Sequence, residues 1–276
     1  MNVITVQENG LLRDYIDAVC PLASFAFARL LRDRDIKVNG KRVAKNIAVY
    51  KGDRITYYLT AKEQSRTFFD ILFEDDNFLV VDKESGVSSE GLFQHLQREQ
   101  ELYFIHRLDR NTSGIILFAK TERAKEELLA AFKASKIYKE YHAIVVDDNF
   151  QKEQAVLHAY LKKDSTKATV QILKKAMQGA VEICTEYKVL ERYTGYAKLQ
   201  IVLHTGRTHQ IRAHLANEGH PIAGDEKYGD RDFNKKYHLK RQILVAKKLK
   251  LNLPNFLAMQ DRVFVSKHEA ELIEKI

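Results

Sequence analysis

The sequence predicts an α+β fold built on a mixed, mainly antiparallel sheet. From residue 69 onward, many segments of alternating, β-prone residues follow one another, with only a few helical patterns between them. Before residue 60, two helical patterns precede several short strands. A polar segment over residues 60–68 breaks the periodicity on both sides. We therefore expect a small αα-β domain over residues 1–62 and a larger sheet domain over residues 63–276.

The pattern of residues in the first domain predicts two helices and two turns. Apolar residues recur at helical spacing from Leu12 to Val19, and residues Phe25 to Arg32 combine an apolar face with a basic face. Asn39-Gly40 lies between β-prone runs and predicts a hairpin, because a type I′ turn needs positive φ at both central residues. Gly52-Asp53 predicts a second turn, which leads into another strand.

The second domain is predicted to contain a longer series of strands. The turn Asp75-Asp76-Asn77 separates the first two, and Thr121 is placed to cap a helix over residues 122–135. Gly219, with Pro221 beyond it, predicts the end of a helix that begins near Thr208. The other expected elements are a short helix over 90–99, strands over 113–120, 137–146, 155–162, 181–191, 196–204 and 242–252, and a terminal helix over 267–276.

Composition favours an anionic partner. The chain has a formal net charge of +8 at pH 7 and a pI near 9.2, a balance that is typical of proteins that bind nucleic acid. Residues 1–60 hold ten Lys/Arg against six Asp/Glu, so they carry half of the net charge in under a quarter of the chain. This segment is therefore the first candidate for contact with a nucleic-acid backbone.

The cysteines and the apolar runs indicate a soluble protein of the cytoplasm. Cys20 and Cys184 lie far apart and fit neither a disulfide framework nor a Cys-x-x-Cys metal site, which points to a reducing compartment. No apolar run reaches membrane-spanning length, and the N-terminus lacks the layout of a signal peptide.

The densest group of polar residues is "HRLDRNTSG", residues 106–114, which places Asp109 between Arg107 and Arg110. An aspartate in such a position is most often a surface ion-pair partner. Two further clusters favour a functional role here. They are "HTGRTHQIRAHL" over residues 204–215 and the glycine-rich loop "GHPIAGDEKYG" over residues 219–229.

Three histidines of the second cluster, His204, His209 and His214, have two possible roles. We expect most of them to make capping and packing hydrogen bonds. A metal site is the less favoured alternative, because no carboxylate or Cys lies at zinc-ligand spacing beside them. His209 and Arg212 are three residues apart and share a helix face.

Together these clusters resemble the motifs of the RluA-type pseudouridine synthases. "HRLDRNTSGIILFAK", "KEYHAIV", "TGRTHQIRAHL" and "GHPIAGDEKYG" occur in the order and spacing of that family, over roughly residues 69–250. The resemblance implies that residues 63–276 form a pseudouridine synthase catalytic domain. Within the first motif the matching residues are His106, Arg107, Leu108, Asp109, Thr112, Ser113, Gly114, Phe118, Ala119 and Lys120.

The resemblance implies an enzyme that isomerises uridine in structured ribosomal or transfer RNA. The base–sugar bond is cut, uracil turns, and its carbon 5 is joined to the sugar, so a carboxylate must stabilise or bond to the intermediate. Family analogy gives this role to Asp109 and gives Arg212 the task of keeping it ionised. It assigns Tyr141 to stacking on the flipped base and Arg107 to filling the vacated gap. No cofactor is implied.

Strand alternation predicts which residues accompany Tyr141. It puts Lys139, Tyr141 and Ala143 on one face of the strand, and Tyr138, Glu140 and His142 on the other. The resemblance implies that the Tyr141 face lines the pocket.

The first 62 residues resemble the small S-four-like RNA-binding domain, named after a ribosomal small-subunit protein. From this we expect RNA contacts from Arg29, Arg32 and Lys41, in addition to Arg107. We also expect the catalytic domain to fold without residues 1–60. The similarity rests on Arg29, Leu30, Leu31, Val38, Asn39, Gly40, Lys41 and the Gly52-Asp53 turn.

Two departures from the family pattern stand out. "DKESG" has Glu84 where many relatives have proline, which is expected to loosen one loop. "ILVAKKL" over residues 243–249 replaces a Leu-His-Ala segment and changes a pocket wall. Neither departure touches a position that the resemblance makes catalytic.

Two other functions stay open from the sequence. One is a non-catalytic RNA-binding protein that keeps this fold. The other is a hydrolytic N-glycosidase, which would need a second carboxylate beside Asp109, such as Asp225. For the favoured function we expect structured RNA as the partner, and a monomer with no membrane attachment, cofactor, metal or obligate protein partner.

Overall fold

The computed structural model of the chain describes residues 1–19, 24–64, 67–146, 150, 152–164, 166 and 168–272. The chain divides into two compact units. The first unit contains residues 1–110 and 116–122, and the second contains residues 111–115 and 123–276. Cys20 and the last four residues of the expected terminal helix lie outside the described residues.

The first unit is built from short helices and antiparallel strands. Strands β1, β6, β3 and β4 form one sheet in that order, β2 pairs with β5, and β7 pairs with β8. In chain order, the elements are β1 (Asn2–Thr5), β2 (Gly10–Leu11), α1 (Leu12–Val19), α2 (Ser24–Arg32), β3 (Ile36–Val38), β4 (Lys41–Arg42), β5 (Ala48–Val49), β6 (Arg54–Tyr57), α3 (Ala61–Gln64), β7 (Phe69–Glu74), β8 (Phe78–Lys83), α4 (Ser89–Leu96), β9 (Tyr103–Phe104) and β10 (Ser113–Ala119), whose first three residues belong to the second unit.

The hairpin between β3 and β4 forms as the sequence predicts. Asn39 has φ 51° and Gly40 has φ 78°, so both central residues adopt the left-handed region that a type I′ turn requires. Strand β1 was not predicted. It pairs antiparallel with β6 along its whole length, and its four residues are too few to show a periodicity of their own.

The apolar core of the first unit draws residues from both sides of the predicted domain boundary. Leu12 and Ile16 of α1 lie in the same buried cluster as Leu92 and Leu96 of α4, and the two helices are in contact. The boundary at residue 62 stays a prediction. Because residues 1–60 contribute to a shared core, their removal would expose apolar surface, so the structure does not support independent folding of the remainder.

The second unit contains most of the large sheet. Its strands follow the order β13-β12-β14-β15-β11-β16-β10, and β17 pairs with β16. The pairing of β10 with β16 is parallel, and the other strand pairs described in this unit are antiparallel. The predicted α+β class with a mixed, mainly antiparallel sheet is therefore confirmed. The further elements are α5 (Glu122–Lys133), β11 (Tyr138–Val146), β12 (Gln154–Asp164), β13 (Thr169–Leu173), β14 (Ala180–Tyr193), β15 (Tyr196–Leu203), α6 (Gln210–Asn217), α7 (Arg231–Lys236), β16 (Leu244–Leu251), a 3₁₀ turn (Leu257–Met259) and β17 (Arg262–Val265).

Gly114 allows β10 to approach β16 closely. It has φ 108°, and a Cβ atom added there would lie 2.3 Å from the Ala246 carbonyl oxygen. No other residue type fits this position without moving the backbone. The glycine of the Thr-Ser-Gly sequence is thus required by the sheet. Within the described residues, no helix has the length and apolar character needed to cross a membrane.

The expected terminal helix is wrong over residues 267–272, which form no helix. Lys247 of β16 accounts for this. Its ammonium donates to the carbonyls of Ser266 and His268, at 2.7 and 3.1 Å, and also pairs with Glu269. These bonds attach the carbonyls of Ser266 and His268 to a side chain of β16 and hold the start of this segment beside that strand.

Candidate active site

Asp109 lies in the loop between β9 and β10, and hydrogen bonds hold the residues on both sides of it. The buried Ser89 hydroxyl, at the start of α4, donates to the Leu108 carbonyl at 2.8 Å and accepts from the Leu108 N–H at 3.0 Å. The Arg110 carbonyl accepts from the Gly86 N–H at 2.8 Å. The backbone of the half-buried Asp109 is therefore fixed on either side.

Lys83 is a fully buried amine beside this loop. It donates to the carbonyls of Val87, Glu84 and Arg110, at 2.8, 3.1 and 3.3 Å. Burial, together with the positive charge of Arg110, lowers the pKa of Lys83 to about 7, while the carboxylate of Asp109 acts in the opposite direction. One amine therefore ties the loop after β8 to the loop that carries Asp109.

Glu84, which replaces the family's proline, makes a bond that proline could not make. Its backbone N–H donates to the Phe68 carbonyl at 3.0 Å. Proline has no N–H to supply this contact. The structure therefore does not support the expected loosening of this loop.

The neighbours of Asp109 in the motif have different partners. Arg107 is exposed and forms an ion pair with Glu90 at 2.7 Å. His106 accepts a hydrogen bond through Nε2 from the Leu117 N–H at 3.0 Å, so it holds the loop to β10. The guanidinium of Arg110 is engaged inside the protein, because it binds Asp17, a buried acid of the same unit, at 2.7 Å.

In the second unit, Arg212 of α6 is buried and bound to Asp225 through two parallel hydrogen bonds. Nε donates to Oδ2 at 2.7 Å, and Nη2 donates to Oδ1 at 2.9 Å. The N–H groups of Lys227 and Tyr228 also donate to Oδ1. Burial alone would raise the pKa of Asp225, but the charge and hydrogen bonds of Arg212, with those of the backbone, hold the pKa below its ordinary value.

Tyr141 is a half-buried residue of β11, and the predicted division of this strand into two faces is confirmed around it. Tyr141 packs against the apolar cluster that contains Ala143. On the opposite face, the Tyr138 hydroxyl donates to Glu140 at 2.8 Å, and His142 Nε2 lies 3.2 Å from the same carboxylate. The ring of Tyr141 therefore lies on one face of the sheet, and the Glu140 carboxylate and the His142 imidazole lie on the other.

His209 and His214 make packing hydrogen bonds, as expected for most of the histidines of the second cluster, and His204 pairs with Glu186 on the exposed surface. His214 is buried, and burial lowers its pKa. His209 occupies the position before α6 with φ 55° and makes no side-chain cap. The contacts join His204 to Glu186 at 2.9 Å, His209 to the Tyr228 hydroxyl at 3.0 Å, and His214 to the Thr185 hydroxyl at 3.0 Å.

The basic residues that were predicted to contact RNA in the first unit fall into two groups. Arg32 and Lys41 are exposed on the surface. Arg29 is engaged inside the unit, where it binds Glu63 at 2.8 Å, Asp35 at 2.6 Å and the Tyr58 carbonyl at 2.9 Å. These contacts give Arg29 a structural role first, and its contact with RNA stays a prediction.

Sequence reasoning missed Ser89 and Lys83, the residues that support Asp109. Ser89 follows Ser88, whose hydroxyl caps α4 by accepting from the Gly91 N–H at 3.0 Å. The Ser-Ser pair before a helix was an available signal. For Lys83, the signal was a lysine that follows Asp82 at the end of the apolar run Phe78–Val81.

Comparison with known proteins finds similarity to one family of enzymes. The family model for RNA pseudouridylate synthase matches residues 77–217, about half of the chain. A ribosomal large subunit pseudouridine synthase C from Vibrio vulnificus is 30% identical, covering 90% of this chain and 85% of the relative. The protein of that name from Escherichia coli K12 is 32% identical, covering 82% and 79%. Among solved structures, human RNA pseudouridylate synthase domain containing 1 has a TM-score of 0.60 and 28% identity, covering 68% of this chain and 80% of that one.

The fold and these similarities define an isomerase that acts on RNA. The chain belongs to the RNA pseudouridylate synthase family, and within it to the RluA type. The resemblance that the four sequence motifs carry is therefore confirmed.

Proposed function

We propose that the protein isomerises specific uridines of structured ribosomal RNA to pseudouridine through Asp109. The observation that carries the proposal is the support of the Asp109 loop by Ser89, Gly86 and Lys83. A carboxylate that meets a short-lived intermediate gains from being held in place beforehand. Ribosomal RNA is the proposed substrate because the names of the relatives from V. vulnificus and E. coli specify it.

The proposed reaction only rearranges bonds. The bond between N1 of the base and C1′ of the sugar breaks, and the Asp109 carboxylate stabilises or bonds to the electron-poor centre. Uracil then turns, and a bond forms between its carbon 5 and C1′. Carbon 5 loses a proton, and N1 gains one. The change involves no net oxidation or reduction, so it requires no redox cofactor.

The target base has to leave the stack of the folded RNA before it can react. We assign the filling of the vacated gap to Arg107, whose exposed ion pair with Glu90 costs little to exchange for an RNA contact. We assign stacking on the flipped base to Tyr141. Arg212 is the proposed cationic partner that keeps Asp109 ionised.

The two competing functions fit less well. An N-glycosidase would need a carboxylate free to activate water, yet both oxygens of Asp225 accept hydrogen bonds and its pKa lies below the ordinary value. A non-catalytic RNA-binding protein would have no use for a supported carboxylate, and Asp109, Tyr141 and Arg212 are all present.

One experiment separates the three functions. The purified protein is incubated with ribosomal RNA labelled in its uridines, which is then digested to nucleosides and chromatographed. We expect pseudouridine. Free uracil would indicate a glycosidase, and unchanged uridine would indicate binding alone. Transfer RNA is run in parallel, and exclusive modification of transfer RNA would contradict the proposed substrate.

We expect replacement of Tyr141 to separate stacking from proton handling. Leucine removes the ring, so it should weaken binding of the flipped state, where stacking contributes about 1–3 kcal/mol per base, and should also slow the reaction. Phenylalanine keeps the ring and removes only the hydroxyl. We expect the Phe variant to bind normally and react slowly, because stacking alone would not require a tyrosine. RNA affinity, single-turnover rate and thermal stability are measured for both.

Tyr138→Phe is the matched control on the same strand. It removes a hydroxyl from the opposite face, where the partner is Glu140. It should leave the rate unchanged. If Tyr141→Leu lowered the melting temperature but kept the wild-type rate, Tyr141 would be a core residue only.

We expect the exposed cations of the first 62 residues to contribute to RNA affinity through phosphate contacts. Replacing Arg32 and Lys41 together by glutamine should weaken binding and reduce the slope of log affinity against log salt by about one unit for each lost contact. Binding of labelled ribosomal RNA is titrated at several salt concentrations.

The control variant replaces Lys235 and Lys250 by glutamine, which removes the same net charge from exposed positions of the second unit. It should change the slope less. Equal slopes for the two double variants would mean that only net charge matters and that Arg32 and Lys41 have no special contact.

A further inference from the structure

A buried carboxylate from the first 62 residues binds the arginine that follows Asp109. Asp17 of α1 is 2% exposed. Its Oδ2 accepts from Arg110 Nη1 at 2.7 Å and from Arg13 Nε at 2.9 Å. The hydroxyl of Ser88, at the N-cap of α4, donates to the same oxygen at 3.4 Å. One acid therefore joins α1, the cap of α4 and the loop of the candidate active site.

The helix that carries Asp17 lies unusually close to α4. A Cβ atom added at Gly91 would lie 2.6 Å from the Asp17 Cβ, a separation that real side chains do not adopt. Only glycine therefore allows the two helices to meet at this point. The close approach brings the short side chain of Asp17 within reach of Arg110.

Arg110 is held at both its backbone and its side chain. Its carbonyl accepts from Gly86 and Lys83, and its guanidinium binds Asp17. Asp109 is the next residue along the chain, so its backbone moves if Arg110 moves. A charge-assisted bond to a buried acid is short and directional, and breaking it would take one of two charged donors from Asp17 Oδ2.

We propose that Asp17 is a positioning residue for Asp109 and acts through Arg110. The inference rests on the proposed function, because it assumes that Asp109 performs the chemistry. Helix α1 then has a second task besides any contact with RNA, since it supports the loop that carries the catalytic carboxylate. Changes in α1 should therefore alter the rate at saturating RNA and not only the affinity.

The test uses the full chain with Asp17→Asn, Arg110→Met, the double variant of both, and Gly91→Ala. Gly91→Ala changes no charge, and its Cβ would lie 2.6 Å from the Asp17 Cβ and 2.7 Å from the Ser88 hydroxyl oxygen, so it strains the contact between α1 and the start of α4. Single-turnover pseudouridine formation is measured at saturating labelled ribosomal RNA, below the melting temperature of every variant. We expect each single variant to lose at least about tenfold in rate, with the dissociation constant for RNA within about twofold of wild type. The double variant should be no slower than Arg110→Met alone, because both changes break the same link.

Asp14→Asn is the matched control. It removes the same charge from an exposed position one turn earlier on α1 and should react like wild type. A folded Asp17→Asn variant with the wild-type rate would overturn the inference. So would rate losses that multiply in the double variant, or a loss found only in RNA affinity.

A second measurement keeps the two proposals distinguishable. Hydrogen–deuterium exchange of the backbone over residues 106–112 should be faster in Asp17→Asn than in Asp14→Asn or wild type, whether or not RNA is present. Equal exchange in all three would overturn the positioning role, independently of any activity. Failure of the wild type to form pseudouridine would instead overturn the proposed function.

Discussion

Replacing Asp109 by asparagine is expected to slow pseudouridine formation by at least about four orders of magnitude, while RNA binds as well as before or slightly better. Asparagine has the same size, but it carries no charge and is not a nucleophile. Loss of a negative charge near the RNA backbone removes a repulsion. Single-turnover rate and RNA affinity of the purified variant test both halves of this expectation.

The fold of the Asp109→Asn variant should be preserved. The hydrogen bonds of Ser89 and Gly86 to this loop involve only the backbone of Leu108 and Arg110, so they do not depend on the carboxylate. Thermal unfolding checks this. Asp76→Asn, at the exposed turn between β7 and β8, makes the same charge change and should react normally. Substantial turnover by a folded Asp109→Asn variant would remove this residue from the chemistry.

Elements with a strong local signal could be predicted from the sequence. The Asn39-Gly40 turn requires positive φ at two successive residues, and few residue types supply it. Long strands such as β14 and β15 show their alternation directly. Short strands do not. β13 and β17 are strands because β12 and β16 lie beside them, and this pairing is not visible in five or four residues.

The residues of the candidate site also differ in how far the sequence alone reveals them. Asp109 could be found because its motif is contiguous in the sequence. For its supports the sequence shows only local signals, and their contacts with the Asp109 loop form only when the chain folds. Ser89 is 19 residues from the Leu108 groups that it binds, and Asp17 is 93 residues from Arg110. The sequence also offers no means of telling that Arg29 is half-buried and bonded to Glu63, whereas Arg32 is exposed and pairs with its neighbour Asp33.

Arg212 is expected to be needed for both the rate and the fold, and two substitutions should separate these needs. Lysine keeps the charge but loses the planar fork that binds both oxygens of Asp225. We expect Arg212→Lys to slow pseudouridine formation by about a hundredfold or more. Methionine leaves Asp225 as a buried charge without its partner, so Arg212→Met should lower the free energy of unfolding by about 3–5 kcal/mol and lose more activity.

Asp225→Asn decides what Arg212 contributes beyond this ion pair. It keeps the guanidinium and the shape of the site, and it removes the charge that Arg212 neutralises. If Arg212 served only to bind Asp225, the rates of Asp225→Asn and Arg212→Lys would fall equally. If Arg212 also keeps Asp109 ionised, Arg212→Lys should be clearly slower than Asp225→Asn at equal folded fraction. The lysine ammonium would then be misplaced for the Asp109 carboxylate as well as for Asp225. A fully active Arg212→Lys variant would rule out a fixed two-point contact in catalysis, and Arg212 would then act through charge alone.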